Sequence, residues 1–296
     1  EVTENFRGCR EIGKVRQDRE ELLQQSLSGI ILRRDRAEVA PELPKRIYMG
    51  TPLPGYEDNG GRERGIWLPM KGEQLRAYRE MEKFGSARVL NGHVNAVGSL
   101  AELNRLSQLA STYGRIEGAS FEANGPSNKL EYLKELLEQM GFPDSPQTKM
   151  VVVSRYTRLL TFLAAELDLH HVMITGKVTG DDRATAINSF NSLNRNTPHI
   201  MFLNIDAGGS AITLDAADDM VFLDESLPHQ QEQAEGRIDN RRPEQKVVPR
   251  RYYYLRSVGT VDIGIMHTNL ILDAESTRVL DGVEYAKLVL QHTSDD

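Results

Sequence analysis

The feature that most constrains the fold of this chain is a regular alternation of apolar runs with helix-forming segments across residues 149–260. Most of the runs are short, rich in Val, Ile, Leu, Met and Phe, and lack a polar face, as strands buried on both sides do. We predict strands at 150–153, 171–174, 199–203, 220–223 and 251–255, and helices at 159–167, 183–190 and 230–238. This alternation predicts an α/β fold, a parallel sheet with helices on both faces.

The residues before 149 predict an accessory segment of helices and short strands. We expect a charged helix and an apolar run within 10–46, strands at 46–49 and 65–70, helices at 74–84, 100–109 and 130–140, and loops at 51–61 and 112–128. The apolar period places Leu75, Tyr78 and Met81 on the inward face of the helix at 74–84, and Leu100 on that of the helix at 100–109. Gly141 follows the last helix, where a left-handed residue commonly ends one.

Composition limits the function classes. The chain has 43 acidic and 36 basic residues and a net charge of −7, whereas a protein dedicated to coating nucleic acid is usually basic. Seven bases nevertheless lie within 237–256, which fits either a solvated helix face or a strip that contacts phosphates. The single cysteine, Cys9, excludes an internal disulfide and a Cys/His zinc site. The first residue is Glu1 and not Met, which favours a piece cut from a longer protein.

Two segments beyond predicted strands could carry chemistry, since ligands of open parallel sheets bind past the carboxyl ends of the strands. In the segment 206–214, the pair Gly208–Gly209 could let backbone amides approach a phosphate, although two glycines taken alone are more typical of an ordinary tight turn. In the segment 233–242, Arg237 could reach a nucleotide on a neighbouring lobe, or it could simply stabilise the end of a helix.

Other candidate residues favour structural roles. Gly176–Lys177 is not followed by Ser or Thr, so it is not a Walker A loop, and none occurs elsewhere in the chain. Thr179 with Asp182 is typical of a helix N-terminus. The histidines lack metal-ligand spacing, so we expect no metal site.

Taken in order, these segments resemble the C-terminal half of a Swi/Snf-like ATPase of helicase superfamily two. The resemblance rests on residues 31–45, 66–78, 103–106, 127–130, 149–155 (motif IV), 206–214 (motif V), 233–241 (motif VI) and 252–261. It implies four parts: the end of a first lobe at 1–46, linking strands and brace helices at 47–148, a RecA-like lobe at 149–260 and a C-terminal extension at 261–296.

The resemblance also implies a function, that of an ATP-dependent DNA translocase or helicase lobe. ATP and Mg²⁺ would be held mainly by a first lobe of the same parent protein, without which the chain would be inactive. Arg237 and Arg241 would act as arginine fingers. Further ATP contacts would come from Asp206, Gly208, Gly209, Gln233 and Gly236. Duplex or forked DNA would be held through its backbone by Ser154, Arg155, Lys177, Ser210 and Thr213. The expected location is intracellular, cytoplasmic or DNA-associated, with no membrane partner.

Three departures from the family pattern keep an alternative open. The second finger position holds Asn240, with Arg241 beside it, and we assign the role to Arg241 through a local shift. Asp206 stands where the family often has Arg, and neither a Walker A loop nor an Asp-Glu-x-His box is present. The alternative is a catalytically dead RecA-like module that binds nucleic acid or regulates a partner. An RNA helicase lobe is disfavoured by the segment Leu32–Arg33–Arg34 and by the brace helices.

Overall fold

The computed structural model describes residues 2–4, 10–12, 45–117, 120–144, 146, 148–194, 196–207, 212–239 and 248–274. The chain divides into two compact units, Glu1–Leu43 and Pro44–Asp296. In the first unit the described residues form an antiparallel hairpin of β1 (Val2–Glu4) and β2 (Arg10–Ile12). The predicted charged helix and the segment 31–39 lie outside the described residues.

The second unit is built on a sheet of eight strands, and seven of them run parallel. The order is β11-β12-β10-β13-β14-β5-β4, and β3 pairs with β14 beside β5. Only the pairing of β4 with β5 is antiparallel. The strands are β3 (Arg46–Tyr48), β4 (Thr51–Pro52), β5 (Arg64–Leu68), β10 (Met150–Ser154), β11 (His171–Ile174), β12 (Ile200–Asn204), β13 (Asp219–Phe222) and β14 (Arg250–Ser257). The predicted parallel α/β sheet is confirmed, and its strand positions agree within one or two residues.

Helices cover both faces of this sheet. They are α3 (Asn128–Gln139), α4 (Thr157–Leu167), α5 (Gly180–Asn191) and α6 (Pro228–Glu235). Alternate residues of β10 point to opposite faces. Val152 lies in a core with Leu133 of α3 and Leu160 of α4. Its neighbour Val153 lies in a second core with Phe190 of α5. The continuous apolar run therefore reflects burial on two sides.

A smaller layer packs beside the sheet and forms a core of its own. It comprises α1 (Gly72–Phe84), β6 (Ser86–Val89), β7 (Gly92–Asn95), α2 (Ser99–Ser111), β8 (Gly114–Glu117), β9 (Ser120–Ala123) and α7 (Val261–Ala274). Tyr78 and Met81 of α1 are fully buried there with Leu106 of α2 and Val261 of α7. The Tyr78 hydroxyl also accepts a hydrogen bond from the Val261 amide at 2.8 Å, which ties α7 to this layer.

Two expectations for this layer are wrong. Residues 112–128 are not one loop, because β8 and β9 form an antiparallel hairpin there. Gly114 permits its close strand approach, since a Cβ at that position would lie 2.0 Å from the Glu122 carbonyl oxygen. Leu75 and Leu100 are largely exposed, at 36% and 51%, and the side chain that α1 buries in place of Leu75 is Gln74. Its amide donates hydrogen bonds to carbonyl oxygens at the end of α2.

The edge of the sheet beside β14 is occupied by two short strands in tandem. β3 pairs with residues 250–252 and β5 with residues 255–257 of the same strand. Between them, over residues 49–63, the chain leaves β14 and includes the short strand β4, which pairs with β5. We call this segment the edge loop. Gly50 makes the departure possible, since its φ is +88° and a Cβ there would lie 2.1 Å from the Gly65 carbonyl oxygen. The edge loop ends beside α6.

Candidate functional site

A cavity of about 230 Å³ opens where β12 ends and α6 begins and ends. Its polar lining comes from two separate segments, Asp206 after β12 and the group His229, Gln230, Gln233 and Arg237 on and after α6. Asp206, Gln233 and Arg237 were each predicted as site residues, from motifs V and VI. The structure thus brings together residues that are about 30 positions apart in sequence, at the carboxyl edge of the sheet.

Asp206 is oriented by the last residue of β12. The Asn204 side-chain oxygen accepts hydrogen bonds from the amides of Asp206, at 3.1 Å, and Ala207, at 3.2 Å. The Asn204 amide nitrogen donates to the Arg155 carbonyl oxygen at 2.8 Å. Gln230 then donates to the Asp206 carboxylate at 2.9 Å. Asn204 therefore connects the turn after β10 to the carboxylate at the cavity.

Arg237 lies two residues beyond the end of α6, and its backbone is hydrogen-bonded on both sides. Its amide donates to the Ala234 carbonyl oxygen at 3.0 Å, and its carbonyl accepts from the Leu214 amide at 2.8 Å. Its guanidinium donates to the Ile212 carbonyl oxygen at 3.4 Å. Partial burial, and then the positive charge of Arg183, lower the pKa of Arg237. Two guanidinium groups near one another favour an anion at this edge of the sheet.

The remaining residues predicted for the nucleotide lie elsewhere or outside the described chain. Gly236 ends α6 in a right-handed conformation and is half-buried. Gly208, Gly209 and Arg241, together with Asn240, lie outside the described residues, as does Ser210 among the predicted DNA contacts.

The predicted DNA contacts fall into two groups. Lys177 and Thr213 are exposed, and Arg155 is half-buried with its guanidinium donating to the Tyr156 hydroxyl at 2.8 Å. Ser154 requires a correction, because it is only 1% exposed and its hydroxyl donates to the buried carboxylate of Asp224. Since that hydroxyl has its partner inside the protein, it orders the turn after β10 and does not face a phosphate.

Sequence reasoning missed the role of two consecutive acids after β13, Asp224 and Glu225. The Asp224 carboxylate accepts from the Ser154 hydroxyl and from the Arg155 amide, and burial raises its pKa. Glu225 accepts from Arg256 of β14 and from Gln231 of α6, both at 2.6 Å. The available signal was a polar run directly after a buried strand, where neighbouring strand ends meet. This run links the turn after β10 to α6.

A second missed feature, which has no sequence signal, is an ion cluster on the side of α6 that faces β14. Glu235 is fully buried and accepts hydrogen bonds from two arginines and two tyrosines. Asp239 is also buried and accepts from Arg46 and, at 2.9 Å, from the Tyr252 hydroxyl. The two acids flank Arg237 in sequence, two residues to either side.

The described residues contain no group of three or more His, Cys, Asp or Glu side chains that could hold a metal ion. Within the same part of the chain, no helix is both long enough and apolar enough to cross a membrane.

Residues 128–240 match the family described as "Helicase conserved C-terminal domain". This match covers α3 to α6 and ends just after Arg237. The resemblance to the C-terminal half of Swi/Snf-like ATPases is confirmed by relatives of that type.

A chromodomain-helicase-DNA-binding protein 1-like from Danio rerio is 26% identical over 212 residues, covering 68% of this chain and 19% of that protein. The chromatin-remodelling subunit snf22 of Schizosaccharomyces pombe is 24% identical over 233 residues, covering 73% of this chain and 13% of that protein. An uncharacterized ATP-dependent helicase of Mycoplasma genitalium is 24% identical over 207 residues, covering 68% of this chain and 18% of that protein. This chain spans about a fifth of the curated relatives, or less.

Two solved structures share the fold. The C-terminal part of the Fun30 ATPase domain aligns with a TM-score of 0.59 at 16% identity, covering 86% of this chain and 98% of that one. The Sulfolobus solfataricus SWI2/SNF2 ATPase core, solved with double-stranded DNA, aligns with a TM-score of 0.56 at 17% identity, covering 93% of this chain and 55% of that one. These alignments confirm the RecA-like architecture.

Proposed function

We propose that this chain is the C-terminal lobe of an ATP-dependent DNA translocase or helicase, and that it acts on ATP held mainly by a first lobe of the same parent protein. The observation that carries the proposal is the convergence of Asp206, Gln233 and Arg237 on one cavity, inside a segment that matches the helicase C-terminal domain. The guanidinium of Arg237 and the amide of Gln233 form a donor set suited to phosphate oxygens.

The same donor set is poorly suited to holding Mg²⁺, which prefers several oxygen ligands. We therefore assign Mg²⁺ to the first lobe, where it would neutralise charge on the ATP phosphates. The residues of this chain have a different task. When the lobes close, Arg237 is carried toward the γ-phosphate, with Arg241 as the second cation. A positioned arginine that meets developing charge on the transferred phosphoryl group is worth about 10³–10⁵ in kcat.

The DNA face would lie around the turns after β10 and β11. Arg155, Lys177 and Thr213 would contact backbone phosphates, with Ser210 from the motif V segment. Phosphate contacts position a protein on DNA without reading its sequence. A local set of basic side chains is sufficient for such contacts even in a chain of net charge −7. The reason is that the attraction between these side chains and DNA phosphates falls off within a Debye length of about 8 Å, so distant acidic residues have little effect. Replacing Lys177 by Ala should raise the DNA concentration needed to stimulate ATP turnover.

The second candidate, a catalytically dead module, is motivated by Asn240 at the second finger position. Both candidates predict that the isolated 296-residue chain turns over no ATP. They differ in the parent protein, where the variants Arg237→Ala and Arg241→Ala should each lower DNA-stimulated kcat by about 10³-fold or more if these residues are fingers.

The matched control is Arg79→Ala, which removes an exposed arginine paired with Glu82 on α1, in the accessory layer. It should leave kcat unchanged. Wild-type turnover by both finger variants would favour the inactive module, and robust turnover by the isolated chain would refute its dependence on a first lobe. Comparing duplex DNA, single-stranded DNA and RNA as stimulants tests the substrate.

A further inference from the structure

Strand β3 and the edge loop place two arginines against one face of α6. Arg46 lies on β3, before the loop, and Arg62 lies near the end of the loop, two residues before β5 begins. Both residues precede the segment 128–240 that matches the helicase domain, and their side chains are largely buried, at 14% and 12% exposure. Arginine is seldom buried unless its charge is compensated, so both side chains require acidic partners.

The partner of both arginines is Glu235, the last residue of α6. Arg62 binds its carboxylate through two nitrogens, Nε at 3.1 Å and Nη2 at 2.8 Å, and Arg46 Nη1 adds a third contact at 2.9 Å. The hydroxyls of Tyr254, at 2.7 Å, and Tyr48, at 3.0 Å, donate to the same carboxylate. Because the Glu235 side chain is fully buried, its position is fixed by all five donors.

Arg46 also reaches beyond the helix end. Its Nε donates to the carboxylate of Asp239 at 3.1 Å, and the Tyr252 hydroxyl donates there at 2.9 Å. Glu235 and Asp239 are thus attached to the sheet edge on either side of Arg237, whose own side chain lines the cavity. Because Glu235 and Asp239 are both held in place, the backbone that carries Arg237 between them has little freedom to move.

The edge loop is itself held rigidly enough to act as such a support. The guanidinium of Arg256 donates to the carbonyl oxygens of Arg62 and Arg64, each at 2.8 Å. Its Nε donates to Glu225 at 2.6 Å, and its charged group lies over the ring of Trp67. Arg62 is therefore fixed at its backbone as well as at its side chain.

We propose that Arg46 and Arg62 are positioning residues that set the orientation of Arg237 by holding Glu235 and Asp239. This inference rests on the proposed function of Arg237. It assigns a catalytic consequence to a segment that lies well before the helicase domain in sequence. Misplacing a catalytic group by about 1 Å can cost roughly 10²-fold in rate, so loss of one arginine should lower turnover without abolishing the fold.

The experiment measures DNA-stimulated ATP turnover by the parent protein carrying Arg62→Gln, with Arg237→Ala beside it. We expect Arg62→Gln to lower kcat by about 10- to 100-fold with an unchanged KM for ATP, because the finger acts on the transition state. Arg62→Lys keeps the positive charge but cannot bind Glu235 through two nitrogens, so its kcat should lie between those of the wild type and Arg62→Gln.

The matched control is Arg76→Gln. Arg76 also bridges two glutamates, Glu73 and Glu80, but on the exposed face of α1. It should keep wild-type kcat. A thermal unfolding curve for each variant separates loss of position from loss of fold. Should Arg62→Gln fail to fold, Tyr254→Phe takes its place, since it removes one donor from Glu235 and leaves every charge in place; its kcat should fall several-fold.

Three outcomes are distinguishable. A kcat loss in Arg62→Gln or Tyr254→Phe with KM retained supports the inference. Wild-type kcat in a folded variant of this pair, together with an inactive Arg237→Ala, overturns the inference and leaves the proposed function intact. Wild-type kcat in Arg237→Ala overturns the proposed function, and the inference with it.

Discussion

Replacing Lys129 by Met should destabilise the second unit more than almost any single surface change. Lys129 and Asp262 form an ion pair at 2.7 Å in which both side chains are only 1% exposed. The same ammonium donates to the Leu223 carbonyl oxygen at 2.7 Å, and the same carboxylate accepts from the Ser257 amide at 2.8 Å. The pair therefore joins the first turn of α3 to the start of α7 and to the ends of β13 and β14.

The expected cost follows from what Lys129→Met leaves behind. Removing one partner of a buried ion pair costs about 3–5 kcal/mol, because the other charge stays buried without compensation. With an unfolding slope in guanidinium chloride of roughly 5 kcal/mol/M, a loss of about 4 kcal/mol lowers the midpoint by about 0.8 M. The assay is equilibrium unfolding followed by the fluorescence of Trp67, the single tryptophan of the chain, which lies on β5 of the sheet.

A double variant tests the reasoning. Lys129→Met with Asp262→Leu removes both charges, so it should be less destabilised than the sum of the two single variants by about 2–4 kcal/mol. Additivity within about 0.5 kcal/mol would refute the claim that the two charges compensate one another. The control is Lys134→Met. Its partner Glu166 is 3.7 Å away and both side chains are about half exposed, so the change should stay within about 0.5 kcal/mol.

Two further predictions concern the edge loop and α6. Burial opposes ionisation of Glu232, but Arg46 and Arg62 together lower its pKa below the ordinary 4.5. Its stabilising contribution is therefore present above pH 4.5 and lost as the pH falls further. Because the side chain is half exposed, Glu232→Gln should cost only about 0.5–1 kcal/mol at pH 7, and its melting temperature should converge with that of the wild type as the pH falls below 4.5. Parallel curves would contradict this. Gly50→Ala should lower the free energy of unfolding in urea by about 3 kcal/mol or more, because the φ of Gly50 is +88° and an added Cβ would meet backbone atoms. The control Gly60→Ala, at φ +72° in open space, should lower it by about 1–2 kcal/mol. Equal losses would show that the close backbone approach at Gly50 does not matter.

The sheet was predictable because its residues are buried on both faces. Runs such as Met150 to Val153 contain no polar position, and each is bounded by turn residues, so local pattern and tertiary environment agree. The accessory layer was less predictable. Leu75 belongs to an apolar stripe, yet α1 turns so that Gln74 is buried, because the amide finds carbonyl partners at the end of α2.

The candidate site was predictable to the extent that its residues follow strand ends or motif spacing. Asp206, Gln233 and Arg237 come together as the topology requires. The Ser154 contact implied by the resemblance is wrong, because the Ser154 hydroxyl donates a hydrogen bond to Asp224, 70 residues later in sequence. The cluster around Glu235 had no sequence signal, since Arg62 lies 173 residues before it and only the tandem strands bring them together.

The two tandem strands β3 and β5 beside β14 determine where this protein can be truncated. The recognisable domain begins at residue 128, and a fragment cut at that boundary would omit both β3 and β5. Glu235, at the end of its helix, would then keep the Tyr254 hydroxyl but lose Arg46 and Arg62, its two arginine partners among the described residues. Folded proteins rarely tolerate a buried acid that has lost its counter-ions. A fragment that keeps the charge of Glu235 compensated therefore has to start before Arg46. This start lies well before residue 128, where the sequence similarity begins.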